Sequence, residues 1–306
     1  MIDFTNCRHL PYKAYNGANG KKIAIEYSGE QYMLKFPPSG KDKPTELSYT
    51  NSCLSEHIGS SVFNMLGVTA QETMLGTFKV NGREKLVCAC KDFTAGGKQL
   101  FDFCSIKNTI LDSDTNGSGT ELSEILETIE KQQFVSPDRL LEHFWDVFVI
   151  DALLGNFDRH NGNWGFLYDP LSNTSSLAPV FDCGSCLLPQ ADENVMSDVL
   201  GNPDMLSARV YQFPTSAIKL HGRKINYYDF LTGTDDPDCA KAVERIYPRI
   251  DMEAIEAFVE GTTCISELQK EFYSRYIRAR YDMILTPAFE MTMSGEPEQD
   301  GPKLIM

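Results

Sequence analysis

Two aspartates and an asparagine in this chain have the types and spacing of a phosphoryl-transfer centre. Asp158 and Asn163 stand five positions apart in NFDRHNGNWGFL, and Asp182 follows 19 positions after Asn163 in APVFDCGSCL. Each segment reads as a loop joined to a short apolar strand. In transfer from a nucleotide, one carboxylate orients or deprotonates the attacking hydroxyl. An Asn and a second carboxylate hold Mg²⁺ against the phosphates. Mg²⁺ favours hard oxygen ligands, usually one or two carboxylates plus the phosphates themselves. An ordinary polar turn would use the same residue types. The setting favours chemistry: residues 155 to 169 read helix end, loop, strand, so the loop of Asp158 is wedged between a strongly apolar helix and an apolar strand that starts at Trp164. Asp182 begins an Asp-x-Gly turn, in which glycine lets the chain bend sharply after the carboxylate.

Lys35 lies in YMLKF, a run apolar on both faces. Burying a Lys there is costly unless an anion pairs with it. A nucleotide phosphate and a helical carboxylate would satisfy it, and Glu56 is the best such carboxylate. The alternative is a Lys35 that snorkels from an edge strand beside a solvated Glu56. NGANGKK, residues 16 to 22, precedes the same sheet. Gly17 and Gly20 can present backbone N–H groups to phosphate oxygens, and Lys21 or Lys22 adds charge. The segment is neither a Walker loop nor G-x-G-x-x-G. Cys183-x-x-Cys186 has no second Cys pair or His pair to complete a zinc site. Asp112-x-Asp114-x-Asn116-Gly117 copies half an EF-hand loop, but the twelfth position is Ser123 where the pattern needs Glu. It reads as an acidic linker before a helix at 120 to 131.

These residues need elements to hold them. Residues 23 to 36 predict a hairpin turning at Ser28-Gly29. Leu54, Ile58, Val62 and Met65 predict a helix over 48 to 66, ended by Gly67. Residues 73 to 79 and 84 to 91 predict a second hairpin around Asn81-Gly82. Ser136 as N-cap, Pro137 and Gly155 bound a helix with Leu141, Trp145, Phe148 and Ala152 on one face. A second long helix covers about 264 to 285, its stripe running through Ile265, Leu268, Phe272, Tyr276, Ala279 and Met283. The chain thus divides into a β-rich N-lobe at 1–92, an α-rich C-lobe at 93–290 and a polar tail without a fixed fold at 291–306. Gly96-Gly97 is the expected hinge.

The chain has 306 residues, a length that suits two lobes around one cleft. The net charge of −15 argues against a general nucleic-acid or anionic-membrane binder. No stretch approaches the ~20 apolar residues of a membrane span. MIDFTNCRHLPYK shows no signal-peptide core. Nine cysteines, an odd number, read as reduced thiols and a cytoplasmic location.

L-L-G-N-x-D-R-H-x-x-N-W-G-F-L followed by A-P-x-F-D-x-G-S-x-L resembles the HipA-like serine/threonine-protein kinases of bacteria. So does Y-M-L-K-F followed by E-x-x-I-G-x-x-x-x-x-L-G. The resemblance runs from about Tyr12 to Leu285 and is nearest to the short, stand-alone members. It implies an α+β, two-lobed protein-kinase-like fold, with one key helix in the N-lobe. It implies ATP and Mg²⁺ as cofactors, Asp158 as catalytic base, and Asn163 and Asp182 as metal ligands. Lys35, paired with Glu56, would contact the phosphates. Gly17, Gly20 and Lys22 would belong to the phosphate-covering loop, and His160 to the nucleotide side of the site. ATP would lie between the lobes against the segment from Cys88 to Phe93. The partner would be a protein bearing Ser or Thr, with neither nucleic acid nor membrane bound directly. Autophosphorylation is a family trait, but no Ser in Asn16 to Lys22 matches the family's modified one; Ser28 and Ser39 are the nearest. Longer members have an extra N-terminal subdomain and a DNA-binding antitoxin. This chain starts almost at the nucleotide-binding sheet, which leaves an antitoxin-type partner open. The short members add export as an effector without a signal peptide as an alternative location. Two other readings stand beside this one: a lipid or small-molecule kinase using a D-R-H-x-x-N loop, and a pseudokinase scaffold.

Overall fold

The computed structural model describes residues 1–15, 21–38, 50–111 and 115–294. Its N-terminal part is a curled sheet of six strands. These are β1 (Ile2–Asp3), β2 (Arg8–His9), β3 (Lys22–Tyr27), β4 (Glu30–Lys35), β5 (Thr73–Val80) and β6 (Arg83–Lys91), in the order β1-β5-β6-β4-β3-β2. Helix α1 (Ser52–Met65) lies against β5 and β6. Both predicted hairpins form, turning through left-handed Ser28 and Asn81, each followed by glycine.

The strands have two faces because side chains alternate. Tyr32, Leu34 and Phe36 join Phe4, Ile25, Val87 and Ala89 in one small core. Met33 packs on the opposite face with Cys53, Cys88 and Cys90, under α1. Leu54, Ile58 and Val62 form the expected stripe of α1, but Met65 is 40 % exposed. Ser55, Glu56 and Ser60 are buried instead. The helix is wrapped on more than one side, so its buried surface is wider than a single stripe.

The remainder is mainly helical, with a three-stranded sheet of which the sequence pattern suggested only the middle strand, the apolar run after Asn163. β7 (Gln99–Asp102), β8 (Gly165–Asp169) and β9 (Thr174–Leu177) pair in that order. Helices α2 (Phe103–Ile110), α3 (Leu122–Lys131) and α4 (Pro137–Leu154) precede β8. After β9 come α5 (Glu193–Gly201), α6 (Pro203–Tyr211), the hairpin β10 (Lys219–Leu220) and β11 (Arg223–Lys224), then α7 (Tyr227–Gly233), α8 (Pro237–Ile246), α9 (Met252–Glu260), α10 (Glu267–Arg280) and α11 (Thr286–Ser294).

Helix α4 is the axis of the main core, with Trp145, Phe148 and Ala152 buried. Ser136 stands at its N-cap, yet its hydroxyl makes no capping bond. Gly155 caps the other end in the left-handed region at φ 63°. A Cβ there would meet Tyr276 Oη at 2.3 Å, so this position demands glycine. The long C-terminal helix starts with a Ser266–Gln269 capping box and becomes a π-helix at Tyr281–Leu285 before α11. Residues 291 to 294, expected in the tail, are therefore helical; the rest of the tail lies outside the described residues. Among the described residues, no helix is long and apolar enough to cross a membrane.

Candidate active site

The alternation that buries Leu34 in one core turns Lys35 toward α1. There its ammonium sits 2.9 Å from Glu56 Oε2 and 2.9 Å from Asp182 Oδ1. Glu56 is 1 % exposed. Burial opposes the charge on Lys35, but the two carboxylates, Asp182 foremost, more than offset it and hold its pKa well above the usual value. Lys35 in turn pulls Asp182 down to about 2. Asp182 lies in the left-handed region at φ 59° and keeps 42 % of its side chain open to the cleft. Gly184 follows, and a Cβ on it would stand 3.2 Å from Glu56 Oε2. Lys22 of β3, paired directly with Lys35 of β4, also lines this cleft. Burial and the neighbouring Lys35 lower its pKa.

Asp158 enters the same cleft from the loop that α4 delivers. Burial raises its pKa, Asp182 adds to the rise, and His160 works against it. A buried ion pair fixes the loop. Arg159 Nε and Nη2 reach Asp151 of α4 at 3.0 and 3.1 Å. Its Nη1 donates to the carbonyls of Asn163 and Phe181, so one guanidinium ties the Asp158 loop to the residue before Asp182. It also packs over the Phe63 ring of α1, 5.7 Å away. Asn156 Nδ2 donates to Asp151 at 2.8 Å, and its own Oδ1 accepts from the Asp158 N–H at 3.1 Å.

The structure thus brings Lys22, Lys35, Glu56, Asp158 and Asp182 to one cleft. Asn163 lies behind Asp158: its Nδ2 donates to the Asp158 carbonyl at 2.8 Å, and the residue is 6 % exposed. His160 stands beside Asp158 on the outside of the loop, where its Nδ1 accepts from Gly162 N at 3.1 Å. It does not line the cleft around the lysines. Gly17, Gly20, Ser39, Asp112 and Asp114 lie outside the described residues. The sequence reading missed Ser52, Cys53 and Ser185 on the cleft wall, and the Asp151–Arg159 brace. One signal for the brace was available: Asp151 interrupts an apolar helix face, and a buried acid needs a cation.

These residues suit a nucleotide and its metal. Glu56 Oε1 has no hydrogen-bond partner among the described residues, and two cations face the cleft. No group of three His, Cys, Asp or Glu side chains gathers to hold an ion among the described residues. The Asp182 carboxylate and the Asn163 amide, beside phosphate oxygens, match the way Mg²⁺ is usually held.

Known proteins resemble this chain over most of its length. A family model described as the HipA-like C-terminal domain matches residues 14–258. The chain is 48 % identical to the serine/threonine-protein kinase CtkA of Helicobacter pylori strain J99, over 98 % of this chain and 93 % of that protein. The crystal structure described as the H. pylori proinflammatory kinase CtkA superposes with a TM-score of 0.89, covering 95 % of this chain and 98 % of that one. HipA from the Shewanella oneidensis MR-1 toxin–antitoxin complex with HipB and operator DNA shares the fold at 16 % identity. Its TM-score is 0.56, covering 93 % of this chain and 70 % of that one. The chain belongs to the HipA-like family.

Proposed function

We propose that this HipA-like serine/threonine-protein kinase transfers the γ-phosphoryl group of ATP to Ser or Thr hydroxyls through the cleft around Lys35. The observation that carries the reading is a single ammonium held 2.9 Å from both Glu56 and Asp182, with Asp158 in the same cleft. Asp158 orients the acceptor hydroxyl and takes its proton. Its raised pKa and the lowered one of Asp182 separate two carboxylates into two roles. Lys35 and Lys22 neutralise charge that develops on the phosphate oxygens. Asp182 and Asn163 would hold Mg²⁺; the Asn163 Nδ2 bond to Asp158 leaves its Oδ1 for that purpose. Bound Mg²⁺ supplies further charge neutralisation at the phosphates. Glu56 keeps Lys35 placed, and Arg159 keeps the two acidic segments in register. Autophosphorylation follows if a Ser or Thr of the same chain can reach Asp158.

The test is the intact mass after incubation with Mg-ATP, beside Asp158→Asn. A phosphoryl adduct on the wild type alone supports the reading. Near-normal transfer by Asp158→Asn would overturn the base assignment. Binding of Mg-ATP with no transfer to any protein acceptor would overturn the kinase chemistry.

A further inference from the structure

The phosphoryl-transfer residues leave one surface beside them unused. Between Ile218 and Ile225 the chain doubles back as the β10–β11 hairpin, turning at left-handed His221 (φ 53°) and Gly222 (φ 78°). All six residues, Lys-Leu-His-Gly-Arg-Lys, are exposed. Lys219, Arg223 and Lys224 make no side-chain hydrogen bond or ion pair with the described residues. Three cations in six residues, none of them paired among the described residues, stand out in a chain of net charge −15.

The hairpin is fastened to the Asp158 loop at both ends. Three residues beyond Lys224, Tyr227 Oη donates to the Asn156 carbonyl at 2.6 Å. At the other end, Lys219 N donates to the Thr120 carbonyl at 2.8 Å. The adjoining Gly117 and Gly119 carbonyls accept from Asn161 of the Asp158 loop at 2.8 and 2.7 Å. At the tip, the Glu121 carboxylate accepts from the His221 and Gly222 N–H groups. Glu121 is the one acidic side chain bonded to the hairpin among the described residues, and it binds the backbone, leaving the cations free. Ahead of the hairpin in the sequence, Phe213 is 39 % exposed and its ring stands 5.5 Å from that of Phe157, the residue before Asp158. Lys224 is close enough to lower the pKa of Asp158.

We propose that this hairpin is the substrate-docking element of the kinase. An acidic stretch of the protein substrate lies across Lys219, Arg223 and Lys224 while the neighbouring Ser or Thr meets Asp158. This rests on the assignment of Asp158 as the base. The overall acidity of the chain disfavours nucleic acid as the occupant. At physiological salt, charges are screened beyond ~8 Å, so three local cations act on a segment lying over them with little opposition from distant carboxylates. The element therefore selects a short acidic segment, not an acidic protein as a whole.

The experiment uses three peptides with one Ser in a Gly/Ala background, flanked by Glu, Gln or Lys. For the wild type, kcat/KM should be about tenfold higher for the Glu peptide than for the Gln peptide, as three partly exposed charge pairs allow. In Lys219→Glu/Arg223→Glu, the Glu-to-Gln ratio should fall to unity or invert. The ratio is taken within each variant, and Lys219→Gln/Arg223→Gln checks it with a milder change. Fluorescence anisotropy with labelled Glu peptide reads docking without chemistry. A Lys peptide preferred by the wild type, or a Glu-to-Gln ratio untouched in both variants, would overturn the proposal. So would displacement of the Glu peptide by a 20-bp DNA duplex at lower concentration than by unlabelled peptide. Charge-dependent peptide binding without any transfer would support the docking surface and sink the base assignment instead.

Discussion

Asp158 and Asp182 are the same residue type in one cleft, and their surroundings pull their proton affinities in opposite directions. Asp182 faces the Lys35 ammonium and titrates at about 2, whereas Asp158 is pushed up by burial. Only the ionised form of Asp158 can accept a proton. Activity should therefore be lost as pH falls through a value above the ordinary 3.8. His160 lowers the Asp158 pKa, so replacing it by Gln should move the acid limb of kcat/KM to higher pH. An unmoved limb in a pH–rate profile would remove Asp158 or its neighbour from the assignment. Asp158→Asn should lower kcat by about 10²–10⁴-fold while nucleotide affinity, read by calorimetry, stays near the wild-type value. At this scale much was legible. A Lys inside a strand apolar on both faces demands an anion, and Glu56 is one of the two it meets. The Lys35–Asp182 contact was not legible, because 147 residues separate the two and periodicity says nothing of which loop folds onto which strand.

Elements place these residues, and two positions along α4 test how firmly. Gly155→Ala forces a Cβ toward Tyr276 Oη in the left-handed region, and should destabilise the protein by about 1–3 kcal/mol in urea unfolding. Asp151→Ala strips Arg159 of its buried carboxylate and should cost about 3–5 kcal/mol, with the midpoint moved and the slope unchanged. A loss below about 1 kcal/mol would mean that the carbonyls of Asn163 and Phe181 hold the guanidinium unaided. The hairpins at Ser28 and Asn81 and the helices over α1 and α4 were legible because turn dipeptides and long apolar stripes are local signals. The β7–β8–β9 sheet and the β10–β11 hairpin were not. Their strands are two to five residues long, too short for alternation to register; only the apolar run of β8 was readable, and its partner β7 lies far away in the sequence. The π-helix at Tyr281–Leu285 carries no breaker residue that would announce it.

On the scale of the whole molecule, the sheet with α1 supplies Lys22, Lys35 and Glu56, and the helical remainder supplies Asp158, Asn163 and Asp182. A ligand that bridges both sets should stabilise the fold as one unit. Mg-ATP at 100 times its Kd should add about 2.7 kcal/mol to unfolding free energy, visible as a rise in Tm. Asp182→Ala should lose the Mg²⁺-dependent part of that rise while keeping the effect of nucleotide alone; equal shifts in both proteins would contradict the ligand assignment. The division between the two parts followed from composition, since strand-like runs crowd the first ninety residues and helical stripes the rest. The ion triad joining them needed folded coordinates. That triad has a consequence for the order of events. A divalent ion arriving alone must compete with an ammonium for the Asp182 carboxylate. An ion arriving on a nucleotide brings phosphate oxygens that give Lys35 another anion in exchange. If Asp182 holds the ion as proposed, metal and nucleotide should be thermodynamically coupled, each raising the other's affinity by the same factor, and free magnesium should bind the cleft more weakly alone than together with the nucleotide.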